Sequence, residues 1–485
     1  MAAAISLLVL LSLNHAAGNV ITGDYQTLLL APLGTPTAIK DDLLSWAANA
    51  ETETLTLTSL KIDLAHRDSI LASNFTAESI FSLRLDRDAA RVLQIENAVS
   101  PPATANGTRQ GRRSFSSAVV SGLAQGSGEY FTRIGIGTPA RYAFMVLDTG
   151  SDVVWMQCAP CLRCYTQSDP IFDPRSSTSF AVVPCGADLC RRLDVAGCDT
   201  HRRSCLYQVS YGDGSITTGE FATETLTFRN GARVPTIALG CGHENEGLFV
   251  AAAGLLGLGR GRLSFPTQAG RRFKRRFSYC LVDRTSSASA ASTARSSSIV
   301  FGDAALPRKP AAFTTMLRNP KMDTFYYIEI TGVSVGGTSV AGVKAADLRL
   351  DPVTGRGGVI VDSGTSVTRL TRTAYVALRD AFKSGAAASG LRLASGGFSL
   401  FDTCYDLAGK TEVKVPTVVF HLVGGSDVSL PAENYLIPVD TRGTFCFAFA
   451  GTDSGVSIIG NIQQQGFRVV FDSAGARVGF LPHGC

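Results

Sequence analysis

Long apolar segments, a strong net charge and a complete zinc-protease motif are all missing from this 485-residue chain. Beyond the N-terminus no stretch is apolar over enough residues to cross a bilayer as a helix, so no membrane partner is expected. The net charge of +5 is too small by itself to indicate binding to nucleic acid. The candidate zinc-protease motif at His243 and Glu244 lacks the second histidine of His-Glu-x-x-His. We therefore expect no metal and no cofactor.

Cysteine is absent before Cys158, although the chain holds twelve. A cysteine-free leader followed by a cysteine-rich body is typical of a secreted protein with a propeptide. The short apolar run near the N-terminus predicts a signal peptide at residues 1–18, although no Lys or Arg precedes that run; a membrane anchor is the alternative. Residues 19–113 are predicted to be a propeptide that ends in a basic stretch, and a flexible interaction tail is the alternative. Because two N-glycosylation sequons, at Asn74 and Asn106, fall in this leader, the precursor is predicted to be a glycoprotein.

Seven cysteines lie within residues 158–205. The first three have the spacing Cys-x-x-Cys-x-x-Cys, which would also suit zinc. No histidine interleaves the first five, and a secretory route favours disulfides, so we expect disulfides here. Because seven is an odd number, at least one of these cysteines must pair outside the stretch if all of them pair.

Two apolar strands run into the same short acidic motif. Residues 144–147 lead into Asp148, and residues 359–361 lead into Asp362; the two aspartates lie roughly one domain length apart. A carboxylate at the end of a buried strand costs free energy unless the protein uses it. A third Asp-Ser-Gly, at residues 453–455, follows no apolar strand and is predicted to be a turn. The pair therefore predicts two similar lobes that meet at two carboxylates.

Two such carboxylates can hydrolyse a peptide bond without a nucleophilic side chain. At about 3 Å apart they cannot both ionise, so they share a proton and their pKa values split. The ionised member takes a proton from water, and the protonated member polarises the carbonyl. Small and hydroxyl-bearing neighbours are needed for the close approach and for hydrogen bonds, and the candidates are Thr149, Gly150, Ser363 and Gly364.

Three other motifs suggest rival functions. Residues 332–336 match the Gly-x-Ser-x-Gly elbow of serine hydrolases, but alternating β residues precede the motif and no helix pattern follows it. The glycine-rich stretch 253–261 lacks the Lys-Ser/Thr of a phosphate-binding loop. The basic cluster 271–276 could bind nucleic acid, but an exposed helix face is the expected explanation.

Elsewhere the chain has β character and one clear helix. Alternation predicts a strand over residues 130–137, and residues 208–220 predict a hairpin with Tyr211 at its tip and Gly-Asp-Gly in the turn. Residues 373–384 have helical spacing, with Tyr375, Leu378 and Phe382 on one face. The Ser/Ala-rich stretch 284–298 is predicted to be a loop at the passage between lobes. The terminal Cys485 is expected to fasten the C-terminus to the body.

Together these motifs resemble the pepsin-like (A1) aspartic proteases, and more narrowly their plant nepenthesin-like branch. The resemblance covers about residues 129–485, and His66-Arg67-Asp68 resembles part of the branch's propeptide. It implies an all-β, bilobal fold with the active-site cleft between the lobes. The saposin-like insert of vacuolar phytepsins is absent. The residues that match the family's site motifs are the catalytic Asp148 and Asp362, the neighbours Thr149, Gly150, Ser151, Ser363, Gly364 and Thr365, the flap residues Tyr211 and Gly212, Trp155 beside the flap, and the second-lobe disulfide Cys404–Cys446.

The resemblance implies an aspartic endopeptidase that cuts proteins or peptides in acid and is made as a secreted zymogen. Its lobes are predicted at residues 114–298, with a Cys-rich insertion at 158–205, and at residues 299–485. Either Lys61 or Arg67 could supply the leader charge that blocks the carboxylates. A monomer in the apoplast is expected, with the vacuole or chloroplast as alternative locations. The alternative function is that of a catalytically inactive inhibitor or binding protein.

Overall fold

The structure is a computed structural model that describes residues 24–34, 58–71, 75–99, 129–211, 215–228, 231–247, 252–282 and 297–485. Several sequence predictions lie outside these residues. They are the signal peptide, the sequons at Asn74 and Asn106, the basic end of the leader, flap residue Gly212, and nearly all of the Ser/Ala-rich stretch. Among the described residues, no helix combines the length and apolar character needed to cross a membrane.

The described residues of the leader form two strands and two helices that pack against the rest of the chain. The longer of the two helices has 23 residues. These elements are β1 (Tyr25–Leu29), β2 (Ser59–His66), α1 (Arg67–Leu71) and α2 (Ala77–Val99).

The next part of the chain is mostly sheet, as its alternating apolar pattern predicts. Its strands are β3 (Tyr130–Ile136), β4 (Arg141–Asp148), β5 (Val154–Gln157), β6 (Ala181–Val182), β7 (Ala196–Asp199), β8 (Ser204–Ser210), β9 (Ile216–Thr227), β10 (Arg233–Glu246), β11 (Gly254–Gly257), β12 (Arg276–Cys280) and β13 (Ser297–Gly302). Its helices are α3 (Phe265–Gln268) and α4 (Gly270–Phe273), with 3-10 turns at Pro174–Ser176 and Cys190–Arg192.

The C-terminal part repeats the β-rich organisation. Its strands are β14 (Ala312–Thr315), β15 (Tyr327–Ile328), β16 (Ile330–Val335), β17 (Thr338–Ser339), β18 (Val359–Val361), β19 (Thr368–Thr371), β20 (Cys404–Asp406), β21 (Glu412–Pro416), β22 (Val418–Leu422), β23 (Asp427–Leu430), β24 (Leu436–Pro438), β25 (Thr444–Phe447), β26 (Phe449–Thr452), β27 (Ser457–Ile459), β28 (Arg468–Asp472) and β29 (Arg477–Leu481). Its helices are α5 (Ala345–Leu348), α6 (Arg372–Ala388) and α7 (Asn461–Gln464), with 3-10 turns at Asp303–Ala305 and Ala432–Asn434.

The expected amphipathic helix is α6, and its apolar face is buried. Tyr375, Leu378 and Phe382 recur at helical spacing and all lie in the core. Residues 332–336, the rival serine-hydrolase motif, run along β16 into a turn and then into β17. Because a strand and not a helix follows the motif, it does not form the strand–turn–helix elbow that a nucleophilic serine needs.

Leader strand β2 lies in the middle of a mixed sheet that joins the two lobes. Six strands follow one another in the order β14, β29, β28, β12, β13, β2, and β2 then pairs with β3 of the first lobe. The antiparallel ladder with β13 is six residue pairs long, from Ser59 opposite Gly302 to Leu64 opposite Ser297. The predicted lobe boundary after residue 298 falls inside β13, because that strand belongs to the sheet shared by both lobes.

All twelve cysteines form disulfides. Cys158 pairs with Cys241, which is the partner outside the Cys-rich stretch that the odd count required. The remaining pairs are Cys161–Cys164, Cys185–Cys198, Cys190–Cys205, Cys280–Cys485 and Cys404–Cys446. The pair at Cys485 fastens the C-terminus to β12 in the central sheet.

The basic cluster 271–276 lies only partly on a helix, although an exposed helix face was expected for it. It covers the one-turn helix α4 and then enters strand β12. Two of its cations pair with carboxylates, Lys274 with Asp303 and Arg276 with Asp472. The cluster is therefore partly neutralised by local ion pairs.

Candidate active site

Asp148 stands at the C-terminal end of buried strand β4. Strand β11 runs parallel to β4 with Gly257 opposite Asp148, and the backbone amide of Leu258 donates to the Asp148 carbonyl at 2.7 Å. The carboxylate side chain is almost fully buried and accepts from the Gly150 amide at 3.0 Å. The apolar sequence before Asp148 thus places a carboxylate inside the molecule in a fixed position.

Asp362 stands in the equivalent position of the second lobe. It follows β18, and β27 runs parallel to β18 with Ile459 opposite Val361. The side-chain amide of Gln464, on α7, donates to the Asp362 carbonyl at 3.0 Å. Asp362 is completely buried. In each lobe, therefore, a pair of parallel strands holds an aspartate at its end.

Hydroxyl groups from both lobes bind the Asp362 carboxylate. Thr149, from the first lobe, donates to Oδ1 at 2.8 Å, and Thr365 donates to Oδ2 at 2.8 Å. The amide of Ser363 in turn donates to the Thr149 hydroxyl at 2.9 Å. These bonds tie the loop after Asp148 directly to the loop after Asp362.

The guanidinium group of Arg91, on leader helix α2, lies between the two aspartates. Its Nε and Nη2 atoms donate to Asp362 at 3.0 Å and 3.1 Å, and Nη2 also donates to Asp148 Oδ1 at 2.5 Å. A third contact, from Nη1 to Asp148 Oδ2, measures 3.3 Å. One buried cation thus contacts all four carboxylate oxygens.

Arg91 influences the ionisation of Asp362. Burial by itself would raise the pKa of the Asp362 carboxyl, but the charge and hydrogen bonds of Arg91, together with hydrogen bonds from Thr365 and Thr149, outweigh burial and hold that pKa below its usual value. Burial likewise opposes the charge of Arg91, yet the two aspartates raise the pKa of its guanidinium further above its usual range. The site is therefore an ion-paired cluster at neutral pH.

The two glycines of the motifs leave room for this arrangement. A Cβ atom on Gly150 would stand 2.0 Å from Arg91 Nη2 and 3.3 Å from Asp362 Oδ1. A Cβ atom on Gly364 would stand 3.2 Å from the guanidinium carbon of Arg91. Any side chain at Gly150 would clash with the cation, so the close approach requires glycine there.

The predicted flap residue Tyr211 and its partner Trp155 meet as expected from the sequence. The indole nitrogen of Trp155 donates to the Tyr211 hydroxyl at 2.7 Å, and both side chains are buried. Strands β8 and β9, which flank Tyr211, form an antiparallel hairpin. Trp155 thus fixes the position of a tyrosine at the tip of that hairpin.

The remaining predicted residues differ in what they contact. The Ser363 hydroxyl lies 3.2 Å from the Thr149 hydroxyl. The Ser151 hydroxyl has no hydrogen-bond partner in the described part of the chain; its carbonyl accepts from the Gly259 amide at 2.8 Å. Cys404 and Cys446 form a disulfide between β20 and β25, beneath the N-terminal half of α2.

The leader helix is docked on the second lobe along its length. Phe81 and Leu85 pack in one apolar cluster with Val367 and Ile437, and Val92 and Ile95 pack in another with residues around Ile458. Arg91 lies between these two apolar contacts in the helix sequence. The helix therefore covers apolar surface on both sides of the aspartate pair.

A second set of charged residues, here called the leader ion cluster, anchors the leader to the first lobe. Arg87 donates to Asp68 at 2.8 Å and to Glu129 at 2.8 Å and 2.9 Å, and Arg84 Nε donates to Asp68 at 2.8 Å. His66 also belongs to this cluster, and burial lowers its pKa to about 4. The members of the cluster are His66, Asp68, Arg84, Arg87 and Glu129, and all are buried.

Within the described residues, this cluster also contains the group best suited to a metal ion. Ligand atoms of His66, Asp68 and Glu129 lie within 4.8 Å of one another. Both carboxylates already bind an arginine, and a metal ion would lie beside two guanidinium groups. We therefore assign no metal to it.

The expectation that Lys61 or Arg67 blocks the carboxylates is wrong, because Arg91 does so. Lys61 lies exposed on β2, and Arg67 begins α1. The signal that was missed is the spacing of Arg84, Arg87 and Arg91, which places three arginines on one face of α2. That face would be apolar in an ordinary docked helix.

Comparison with known proteins shows where the chain belongs. Residues 130–303 match the family model described as "Xylanase inhibitor N-terminal", and residues 325–482 match "Xylanase inhibitor C-terminal". The "Aspartyl protease family protein 2" of Arabidopsis thaliana is 63% identical over 428 residues, which cover 88% of this chain and 85% of that protein. The "Aspartic proteinase nepenthesin-1" of Nepenthes gracilis is 36% identical over 432 residues, covering 88% of this chain and 91% of that protein.

Solved structures agree with the fold. The structure titled "Crystal structure of edgp" superposes with a TM-score of 0.59, covering 73% of this chain and 91% of that one at 21% identity. The fold and these relatives define a pepsin-like aspartic protease, which is an aspartic-type endopeptidase by class. The chain belongs to the plant branch of that family that includes the nepenthesins.

Proposed function

We propose that Asp148 and Asp362 are the catalytic pair of an acid endopeptidase, and that the chain is made as a secreted zymogen. The observation that carries this proposal is the single Arg91 guanidinium that contacts both carboxylates at 2.5–3.3 Å. Since one small planar group reaches both, the carboxylates face a common space that a water molecule could occupy once the arginine leaves.

Without Arg91 the two carboxylates would repel each other and hold one proton between them. The ionised carboxylate then removes a proton from the bound water as that water attacks the peptide carbonyl carbon. The protonated carboxyl group donates to the carbonyl oxygen, and the proton needed by the leaving amine is supplied from the pair. The two carboxyl groups titrate as a unit, so the role of general base belongs to the pair and not to one of the two aspartates.

The zymogen part of the proposal rests on how the leader blocks the site. Helix α2 covers apolar surface on both sides of the pair, and Arg91 fills the space between the carboxylates. Peptide substrates would meet the same surfaces after the leader is removed, so apolar side chains are expected to bind on both sides of the scissile bond. Tyr211 would close over the substrate and exclude water.

The test is cleavage of a denatured protein by the acid-treated full-length chain from about pH 3 to pH 7. Wild type is expected to cleave in acid, while Asp148→Asn and Asp362→Asn each lose activity and keep the wild-type circular dichroism spectrum. Activity in either variant would contradict the catalytic assignment. If wild type with its leader removed cleaves nothing at any pH, the inhibitor or binding-protein function becomes the better explanation.

We also propose that the protein is exported to the apoplast. The N-terminal apolar run and six disulfides support an oxidising secretory route. The measurement is the distribution of the full-length chain, carrying a C-terminal tag, between apoplastic fluid, vacuoles and chloroplasts. Recovery in either organelle instead of apoplastic fluid would contradict this location.

A further inference from the structure

A carboxylate of the leader fills a site on the second lobe, close to the aspartate pair. Asp88 Oδ1 accepts hydrogen bonds from the backbone amides of Ser366 at 2.6 Å and Val367 at 2.9 Å. Asp88 Oδ2 pairs with the guanidinium group of Arg369. Asp88 is 1% exposed and Arg369 is 5% exposed. Three donors of the second lobe thus converge on one buried side chain of the leader.

These donors are held in place by the second lobe itself. The Ser366 carbonyl accepts from the Ile462 amide at 3.0 Å, and Arg369 Nη1 donates to the Val367 carbonyl at 3.2 Å. The Ser366 hydroxyl is buried and has no hydrogen-bond partner in the part of the chain that the structure describes. The site therefore offers a fourth polar group, and hydrogen bonds within the second lobe help to hold its donors in place.

Removal of the leader would leave this site without its anion. In the described residues, Asp88 is the one carboxylate with which Arg369 forms a salt bridge. An arginine that has lost its carboxylate partner favours binding of another anion. Paired backbone amides and a guanidinium group are the donors that bind carboxylates most tightly.

The site lies where a substrate would pass. Asp88 precedes Arg91 by three residues on α2, which is about 4.5 Å along the helix axis. An extended peptide advances about 3.3 Å per residue. A side chain within about two residues of the scissile bond could therefore reach the position that the Asp88 carboxylate occupies.

We propose that the second lobe recognises an acidic side chain of the peptide substrate through Ser366, Val367 and Arg369. The leader occupies this specificity site with Asp88 while it occupies the aspartate pair with Arg91. The inference rests on the proposed protease function and adds the substrate class that this site selects. Substrates with Asp or Glu at one fixed position near the cleaved bond are expected to be cut preferentially.

The first experiment is digestion of a denatured protein mixture by acid-activated wild type at about pH 5.5, with the sequences around the cleaved bonds determined by mass spectrometry. Asp and Glu are expected to be enriched at one position. A matched peptide pair that differs by Asp or Asn at that position then gives two values of kcat/KM. We expect a ratio of about tenfold in favour of Asp, as for one charged hydrogen-bonded contact.

The pH dependence and a variant identify the cation responsible. The ratio should fall towards one near pH 3, because the substrate Asp, with an ordinary pKa of about 3.9, becomes neutral. Arg369→Gln should have a ratio near one at both pH values. Arg372→Gln, which removes an exposed arginine paired with Asp453, is the control and should keep the wild-type ratio.

The outcomes separate this inference from the proposed function. Cleavage by wild type without an acidic preference at any one position would overturn the specificity site alone. An Asp-to-Asn ratio that stays near tenfold in Arg369→Gln would also overturn it. An Arg369 that served only to stabilise the lobe would slow cleavage of both peptides equally and leave the ratio unchanged. No cleavage of any peptide by wild type would overturn both proposals.

Discussion

Arg91 is the residue on which the proposed inactive state depends. Its planar group can bind two carboxylates at once, with Nε and Nη2 on Asp362 and Nη1 and Nη2 on Asp148. A lysine offers one nitrogen and could not reproduce this set of contacts. Removing the cation would leave two buried carboxylates without the positive charge that pairs with them. Breaking a buried ion pair in this way costs about 3–5 kcal/mol, which would weaken the docking of the leader.

We therefore expect Arg91→Met to make the full-length chain active without prior acid treatment. At pH 5 its initial rate on a soluble peptide should exceed that of untreated wild type by about tenfold or more. Lys61→Met removes an exposed leader lysine and serves as the matched control, which should behave as wild type. Untreated wild type should form product only after a lag. An equally long lag in the progress curve of Arg91→Met would contradict the blocking role of Arg91.

The hydrogen bond between Trp155 and Tyr211 provides a second test at a single position. Tyr211→Phe removes the hydroxyl that accepts from the Trp155 indole, and we expect kcat/KM to fall about tenfold and the free energy of unfolding to fall by about 1 kcal/mol. Tyr207→Phe removes a buried bond of 2.6 Å to Thr217 in the same hairpin. This control should lose similar stability and keep most of its kcat/KM. Equal losses of kcat/KM in both variants would show that the hairpin acts only through stability.

Among the elements, strand β2 and helix α2 hold the leader in place by different means. Strand β2 uses backbone hydrogen bonds to β13 and β3, which do not titrate. Helix α2 uses apolar contacts together with ion pairs, and the leader ion cluster joins the end of β2 to that helix. The sensitivity of the leader to acid therefore resides mainly in α2 and in His66, at the end of β2.

His66 gives this sensitivity a definite pH window. Burial lowers its pKa from 6.5 to about 4, although Asp68 and Glu129 oppose this and Arg84 and Arg87 add to it. The docked leader keeps His66 neutral, whereas a released leader binds a proton below pH 6.5. Docking therefore weakens as the pH falls from 6.5 to about 4, by an amount on the order of 3 kcal/mol.

We expect His66→Gln to keep the leader docked to lower pH than wild type. The measurement is hydrogen exchange of the β2 amides against pH, with both chains carrying Asp148→Asn so that they cannot cleave themselves. Wild type should lose protection between pH 6.5 and 4. The variant should retain protection to lower pH than wild type, until carboxylates whose pKa is lowered in the docked state, such as Glu129 and Asp362, become protonated. The same midpoint in both chains would contradict a role for His66.

The elements show which parts of the structure the sequence could predict. Strands β4 and β18, with their terminal aspartates, follow from apolar runs that end in a costly charge, and α6 follows from the spacing of its apolar residues. The sequence did not identify helix α2 as the blocking element, because a stripe of arginines is usually exposed to solvent. Its burial depends on partners 57 and 271 residues away in the chain, and no local pattern reports them.

Across the whole molecule, disulfides differ in how much chain they close. Cys280 and Cys485 are 205 residues apart and fasten the C-terminus to the central sheet, whereas Cys161 and Cys164 are three residues apart. Where a disulfide stabilises by restricting the unfolded chain, the stabilisation grows with the length of the loop. The long-range bond is therefore expected to contribute far more to stability.

Replacing both Cys280 and Cys485 by Ser should lower the free energy of unfolding by about 2–5 kcal/mol. Replacing both Cys161 and Cys164 by Ser is the matched control and should change it much less. Denaturant unfolding of the Asp148→Asn chain, followed by tryptophan fluorescence, measures both. Equal losses in the two double variants would show that local packing, and not loop closure, determines the contribution of these bonds.

The position of β2 in the middle of the shared sheet has a consequence for the biosynthesis of the enzyme and for the effect of mutations. The ribosome makes residues 59–66 before it makes β3 and β13. Strand β2 can therefore pair only after those two strands have been synthesised. We therefore expect the leader to act as a template on which the two lobes are aligned during biosynthesis. If the leader is later removed, as proposed, a substitution in β2 would disturb the assembly of a mature enzyme that no longer contains the altered residue.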